Sequence, residues 1–191
     1  MTSNASGLFK TALGEGTLSR QALAVVDAKD IGADINAAIG ISVDDVHVDQ
    51  VTLLGALLDD STSIRMVSGN TEAVREGMNL CLDALTESKA EEKGILAMLD
   101  TLNAGLIAPF MPVKDVPRLT AQNYNPSGYT PLYDRSVVLL GRRLAKDQEF
   151  VDNGIPGKTI GVIVTDGFDE GSRTHSAADV KVVVQDMLKA E

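Results

Sequence analysis

The segment VTLLGALLDDSTS, residues 51–63, decides the fold prediction because a continuous apolar run ends there in a polar cluster. The run at 51–58 has the length of a strand and lacks the polar alternation of a half-exposed strand. Such runs are typical of parallel strands that are covered on both faces. Two carboxylates and three hydroxyls follow at 59–63. We therefore predict a buried central strand whose carboxyl end opens into a polar loop.

The composition indicates a globular protein that does not bind polyanions. The chain has 191 residues, of which 44% are hydrophobic and 23% charged, and its formal net charge is −10. A charge of this sign disfavours nucleic acids and anionic membrane surfaces as partners. No apolar run reaches the roughly 20 residues of a membrane helix, and the first residues lack the pattern of a signal peptide. Because the chain has one cysteine, Cys81, an internal disulfide is excluded, and we expect a cytoplasmic protein.

Strand-like and helix-like patterns alternate along the chain. The predicted strands are at 51–58, 94–100, 106–113 and 158–167, and the predicted helices are at 70–88, 131–150 and 176–190. The third strand contains prolines and is expected at an edge, whereas the fourth is expected to be buried. This order predicts an α/β, Rossmann-like fold with a mainly parallel central sheet and helices on both faces.

The region before this pattern is predicted to be an N-terminal extension, residues 1–45, that is partly helical or mobile. Residues 1–16 are small, polar and glycine-dotted, so we expect them to be mobile. Helical composition is found at 18–28, and a short strand is predicted at 36–43.

Short oxygen-bearing side chains recur where strands end or helices begin. In open α/β sheets, ligands bind beyond the carboxyl ends of the strands. Hard oxygen donors are the ligands that Mg²⁺ prefers, and Mn²⁺ accepts similar ones. The sequence therefore predicts a site for Mg²⁺ or Mn²⁺, with Ca²⁺ a poorer fit. The candidate metal ligands are Asp59, Ser61, Ser63, Thr130 and Asp166.

These motifs resemble the metal-ion-dependent adhesion site (MIDAS) of the von Willebrand factor A (vWA) domain. The pattern D-x-S-x-S after the first strand, GYTPL at 128–132 and TDG at 165–167 occur in that family's order. Thr62 stands where the family commonly has glycine. This replacement tightens the loop but removes no ligand. The resemblance implies that residues 46–191 form a vWA-like domain.

The resemblance also implies roles for the five residues. Ser61, Ser63 and Thr130 would contact the cation, whereas Asp59 and Asp166 would act largely through water. The cation would then accept an Asp or Glu carboxylate from a protein partner, so the implied function is cation-dependent protein binding without enzymatic activity. Family analogy alone suggests work beside AAA+ ATPases or in larger intracellular assemblies.

The loops beside the predicted site contain further candidates for partner contact. Tyr129 and Phe168 flank two metal loops and are candidates for exposed contacts with a partner. Asp169 and Glu170 are interpreted mainly as residues of a solvated loop.

The sequence departs from the family's pattern at its end. A vWA domain usually has another strand and helix after the helix at 176–190. Either the sequence is truncated, or another segment supplies the missing layer. Residues 31–43 are apolar enough to lend a strand to the sheet edge that would otherwise be open.

A receiver domain of two-component signalling is the alternative from another class. Asp100 would be its phosphoacceptor, with Thr130 and Lys146 as the later threonine and lysine. This interpretation leaves Ser61 and Ser63 unexplained, and Lys146 falls inside a helix pattern. A hydrolase is disfavoured further because the serines lack a nucleophile-elbow glycine pattern.

Several reactive or charged residues have structural interpretations. Helical spacing places Cys81 on an apolar helix face, so we expect it in the core. Arg142 and Arg143 are expected on the solvent face of their helix. We expect His47 on a strand surface and His175 in a solvated loop.

Overall fold

The computed structural model describes residues 4–28, 31–88 and 94–190, and its centre is a four-stranded sheet. The strands are β1 (Val51–Leu58), β2 (Ile95–Thr101), β3 (Leu106–Pro112) and β4 (Gly157–Val164). Their order is β3-β2-β1-β4, so β3 lies at an edge as predicted. Strand β1 runs parallel to β2 and to β4, whereas β3 runs antiparallel to β2.

Helices cover both faces of the sheet. They are α1 (Ala5–Glu15), α2 (Arg20–Val26), α3 (Gly32–Ala37), α4 (Thr62–Met66), α5 (Asn70–Glu87), α6 (Leu132–Asp152) and α7 (Ala177–Ala190). Helix α5 packs on one face and α6 on the other. The predicted α/β fold with a mainly parallel sheet is confirmed, and the antiparallel strand β3 makes the sheet mixed. None of the helices within the described ranges has the length and apolar character of a membrane span.

Strand β1 is buried along its length, as its apolar sequence predicts. Leu54 shares an apolar cluster with Leu82 of α5 on one face. Leu53 shares a second cluster with Leu139 of α6 on the other face. Gly55 lies directly under α6, where an added Cβ would come within 2.9 Å of the Leu139 side chain. The run at 51–58 is therefore apolar on both faces because both faces are covered.

Strand β4 contradicts the prediction that residues 158–167 form a buried strand. It pairs with β1 on one side, and no described strand pairs with its other side. Ile160 is 49% exposed, Val162 37% and Ile163 44%. The apolar composition of β4 therefore does not reflect burial within the described part of the chain.

The first helix contradicts the expected mobility of residues 1–16 over the part that the structure describes. Ala5, Leu8, Phe9 and Ala12 recur at helical spacing and are buried in a cluster shared with α6. The Asn4 side chain accepts the Gly7 N–H and caps the helix. Helical spacing of apolar residues after an asparagine cap is a readable helix signal.

Residues 31–43 form no strand at the open edge of the sheet. Helix α3 occupies residues 32–37 and so takes in only the first two residues of the strand predicted at 36–43, and the chain then meets β3 at the opposite edge. There Ile41 N–H donates to the Phe110 carbonyl (2.9 Å), and Phe110 N–H donates to the Ala38 carbonyl (3.1 Å). Gly40 has φ +68°, and an added Cβ would lie 2.0 Å from the Phe110 carbonyl oxygen. Only glycine fits this close approach.

A buried ion pair joins the sheet to α6 and corrects the solvent-face prediction for the two arginines. Asp100 on β2 is 0% exposed, and Arg142 and Arg143 are 2% and 8% exposed. Both Arg135 and Arg142 donate to the Asp100 carboxylate. Arg142 Nε also donates to the carbonyl of Asp34 in α3 (3.0 Å). Burial lowers the pKa of Arg142, and the charge of Asp100 opposes that effect.

Helix α6 is buried on most sides because it lies between two layers. The sheet covers one side, and α1, α2, α3 and α7 pack around the rest. Lys146 is consequently 0% exposed, and its ammonium group donates to Glu149 and to the Ile41 carbonyl. The N-terminal helices thus share a hydrophobic core with the helix that covers the sheet.

The single cysteine is exposed, which contradicts its predicted place in the core. On α5 the buried residues are Met78 and Leu82, with Val74 and Leu85 packed beside them. These four residues follow one helical stripe, and Cys81 lies on its flank next to Leu82.

Replacing Arg142 with methionine should lower the free energy of unfolding by about 3 kcal/mol, because Asp100 would lose one buried partner. The methionine keeps most of the aliphatic stem, so the change tests the charge and its donors. Urea denaturation measures the effect. Arg20→Met on the exposed surface of α2 is the control and should cost about 0.5 kcal/mol or less. Equal losses in both variants would contradict a structural role for the ion pair.

Candidate metal site

Three loops meet where β1 and β4 end. The first follows β1 at 59–61 and includes the start of α4, through residue 63; the second precedes α6 at 124–130, and the third follows β4 at 165–176. Strands β1 and β4 are parallel neighbours, so their carboxyl ends lie at the same edge of the sheet. This places the first and third loops side by side before any side chain is considered.

Asp59 joins the first and third loops. Asp59 is 1% exposed. One carboxylate oxygen accepts the Ser61 N–H at 2.8 Å, and the other accepts the Thr165 hydroxyl at 2.7 Å. The backbone follows the same path, since Asp59 N–H donates to the Val164 carbonyl at 2.8 Å.

A chain of hydroxyls continues from this carboxylate to Asp166. The oxygens of Ser61 and Ser63 lie 2.9 Å apart, and Ser63 donates to Asp166 at 3.0 Å. Ser61 is 2% exposed, whereas Ser63 and Asp166 are exposed. Four of the five predicted ligands therefore lie in one hydrogen-bonded group that runs from the interior to the surface.

Thr130 reaches the same region through the second loop. The Thr62 side chain donates to the Gly128 carbonyl and accepts the Gly128 N–H, both at 3.1 Å. Thr130 is 5% exposed, and its carbonyl accepts the Glu170 N–H of the third loop. Among the described residues, its hydroxyl makes no hydrogen bond to the other four candidates. Thr62 therefore holds the second loop against the first.

Asp60 also lies at the site, although it is not among the five predicted metal ligands. It is 2% exposed, and its carboxylate accepts the backbone N–H groups of Asn103 and Ala104 at 2.8 and 2.9 Å. The Asn103 amide donates both to Asp60 and to the Tyr129 carbonyl, each at 2.9 Å. Asp60 therefore ties the loop after β2 to the site. A second aspartate directly after β1 was the only signal for it in the sequence.

Tyr124 is a buried residue that holds the first loop in place. It is 1% exposed, and its hydroxyl donates to the Asp59 carbonyl. Burial raises the pKa of Tyr124 far above its ordinary value, and the charges of Asp60 and Asp59 raise it further. The phenol thus remains a neutral donor. Arg75 donates to the Tyr124 carbonyl and fixes the start of the second loop.

The negative charge of the site is not balanced by a basic side chain. Asp59 and Asp60 are almost fully buried, and neither forms a salt bridge with a described Lys, Arg or His. Buried charges in proteins are normally paired or coordinate metals. The neighbouring hydroxyls and carboxylates are hard donors that suit Mg²⁺. Within the described residues there is no cluster of three or more His, Cys, Asp or Glu side chains arranged for a metal ion.

The third loop is fastened to the beginning of α6. Ser172 accepts the N–H groups of Tyr133 and Asp134, both at 3.0 Å, and its hydroxyl donates to Asp169. Asp169 also accepts the Tyr133 N–H at 3.3 Å. These contacts satisfy N–H groups at the helix N-terminus, which lack partners within the helix. Asp169 therefore has a structural role, and the solvated-loop interpretation of this residue is wrong.

Asp134 anchors the same loop from within α6. Its carboxylate accepts backbone N–H groups from Arg173, Thr174 and His175. The His175 side chain is only 7% exposed and lies 3.2 Å from Asp134, so the solvated-loop prediction for His175 is wrong. Burial alone would raise the pKa of Asp134, but the donors outweigh burial and lower it below 3.8.

Comparison with known proteins identifies no relative on which these assignments could rest. No protein-family model, no curated protein and no solved structure matched the chain.

Acidification should remove the contribution of Asp134 to stability. Its pKa is lower in the folded protein, so the contribution is present above about pH 4 and is lost as pH falls through the folded pKa. Asp134→Asn should therefore be less stable than wild type near neutral pH, and the deficit should shrink below about pH 4. Urea denaturation across this pH range measures it, with exposed Asp49→Asn as the control. A deficit that stays constant with pH would contradict the assignment.

Proposed function

We propose that the chain is a divalent-cation-dependent protein-binding module of the vWA type. Ser61, Ser63 and Thr130 would hold Mg²⁺ or Mn²⁺, with Asp59 and Asp166 acting largely through water. The bound cation supplies the local positive charge at which a partner's Asp or Glu carboxylate can bind. The proposed role is recognition, without enzymatic activity.

The observation that carries the proposal is the hydrogen-bonded group of hydroxyls around buried carboxylates. Asp59 is buried without a basic partner among the described residues, and Ser61 and Ser63 continue from it toward solvent. A protein with a net charge of −10 would otherwise repel an acidic partner from this edge. A cation held there would make the edge attractive to a carboxylate.

The gradient of exposure supports a site that a partner can reach. Asp59, Ser61 and Thr130 are buried, whereas Ser63 and Asp166 are exposed. A cation held by both groups would have protein on its inner side and solvent on its outer side. Its outer positions would then be available to water or to a partner's oxygen atom.

Two exposed aromatic rings extend the proposed contact surface. Tyr129 is 75% exposed and Phe168 is 90% exposed, on the second and third loops. Aromatic side chains are enriched at the buried centres of protein interfaces. Their placement beside the proposed cation supports a protein partner over a small anion.

The geometry around Asp100 disfavours the receiver-domain alternative. The Asp100 carboxylate is 0% exposed and is held by Arg135 and Arg142 under α6. Lys146 is also buried and bonds Glu149. A phosphoacceptor has to meet its phosphodonor, and this carboxylate has no exposed surface.

Direct metal binding tests the first half of the proposal. Wild-type protein should bind Mn²⁺ in a calorimetric titration, and Mg²⁺ should compete with it. Ser63→Ala should weaken Mn²⁺ binding at least about tenfold because a proposed ligand is lost. Ser68→Ala, an exposed serine outside the site, is the matched control and should bind like wild type. No saturable Mn²⁺ binding by wild type would refute the proposed site.

Peptide selection tests the second half. A displayed peptide library selected on the protein in Mg²⁺ and eluted with EDTA should be enriched in Asp or Glu at one position. Replacing that residue with Asn or Gln should abolish binding, because the neutral amide is a poorer ligand for a hard cation. Selected peptides that bind equally well in EDTA, or to Asp59→Ala, would contradict a cation-bridged contact.

A further inference from the structure

The outer edge of β4 carries unpaired backbone groups. Val51 N–H donates to the Pro156 carbonyl, and Asp59 N–H donates to the Val164 carbonyl. Backbone groups alternate in direction along a strand, so the even-numbered residues of β4 bond to β1. Thr159, Gly161 and Ile163 consequently direct their N–H and C=O groups away from the sheet.

Apart from exposed Lys158 near its start, this edge lacks the devices that normally prevent strand pairing. Natural edge strands are protected by proline, by charged side chains, by bulges or by a covering loop. Residues 159–164, TIGVIV, contain neither proline nor charge. No described bulge interrupts the pairing of β4 with β1. Ile160 and Val162 are exposed on the α5 side of the sheet, and Ile163 is exposed on the α6 side.

We propose that β4 pairs with β4 of a second copy of this chain, antiparallel about a two-fold axis at Val162. The two sheets would become one eight-stranded sheet. In this register, Gly161 of each copy exchanges backbone hydrogen bonds with Ile163 of the other. Ile160 faces Val164 of the second copy, and the two Val162 side chains face each other.

Charge complementarity selects the second copy and this register. The strand begins with exposed Lys158 and is followed by exposed Asp166. Antiparallel pairing about Val162 brings Lys158 of each copy next to the other copy's third loop, which begins directly after β4 and contains exposed Asp166, so two opposite-charge contacts can form by symmetry. Ser63 donates to one oxygen of Asp166, so in the cation-free protein the other oxygen can accept the ammonium group.

The small residue at Gly161 also suits this pairing. On the α6 face, the Arg143 side chain lies over Gly161, where an added Cβ would come within 2.4 Å of it. With the axis at Val162, Gly161 faces Ile163 of the second copy. An axis at Gly161 would instead bring the two Arg143 guanidinium groups together, which like charge disfavours.

Sedimentation equilibrium from about 1 to about 200 µM protein tests the proposal, because self-association depends on concentration. EDTA is included, so that a contact through a bound cation makes no contribution. Wild type should form dimers. Val162→Lys should raise the dimer dissociation constant at least about 30-fold, since two lysines would stand directly opposite each other. Leu80→Lys, an equally drastic change at an exposed residue of α5, should leave it unchanged.

Two results would overturn the proposal. Wild-type protein that remains monomeric at the highest concentration would overturn it, even if a strand of another protein binds the edge. Dimers that survive in Val162→Lys would also overturn it, because they must use another surface.

Lys158→Glu should raise the dissociation constant several-fold if the opposite-charge pairs form, and Lys181→Glu on α7 is its control. Circular dichroism confirms that each variant is folded.

A disulfide provides a second readout that needs no destabilising charge. In a Cys81→Ser background, Val162→Cys treated with diamide should rapidly form a disulfide-linked dimer, because the two Cβ atoms at the axis lie within bonding range and diamide accepts the two electrons and two protons. Leu80→Cys in the same background is equally accessible and should cross-link slowly. Equal rates for the two variants would rule out the proposed axis.

Discussion

The buried ion pair of Asp100 with Arg135 and Arg142 is the interaction on which the packing of the helices against the sheet depends. The Asp100 carboxylate lies on β2 inside the sheet, and Arg135 and Arg142 reach it from α6. Arg142 also donates to the carbonyl of Asp34 in α3, so one side chain connects the sheet, the covering helix and an N-terminal helix. The two guanidinium groups compensate the burial of this carboxylate. The position of α6 over the sheet is therefore determined by charge as well as by apolar packing.

The position of α6 in turn determines where the third loop lies. The first turn of α6 receives Ser172 and Asp169, and Asp134 accepts three N–H groups of the same loop. The loop also begins at the carboxyl end of β4, next to Asp59. Fastening at both ends brings Asp166 to the hydroxyls of the first loop. The candidate site is thus a consequence of helix capping and strand order together.

Local patterns predicted much of this architecture, and their failures have specific causes. The strand at 51–58 was readable because both of its faces are apolar. Helix α1 was not predicted although Ala5, Leu8, Phe9 and Ala12 have helical spacing, because glycines and small polar residues are typical of mobile segments. Cys81 was misplaced because it adjoins the buried stripe of α5 without belonging to it. Asp60 had no visible partner in the sequence, since Asn103 and Ala104 belong to a distant loop.

The sequence by itself determined the alternation of strands and helices, the central strand and the hard oxygen donors near strand ends. These features depend on neighbours within a few residues, whose periodicity and composition are local. Only the tertiary structure decided that Arg142 is buried, that β4 is at the edge of the described strands and that Asp166 meets Ser63. Each of these depends on a partner far away in the chain, and Asp100 is 42 residues from Arg142. An apolar or charged pattern states what a residue can pack against, and the fold determines which partner it receives.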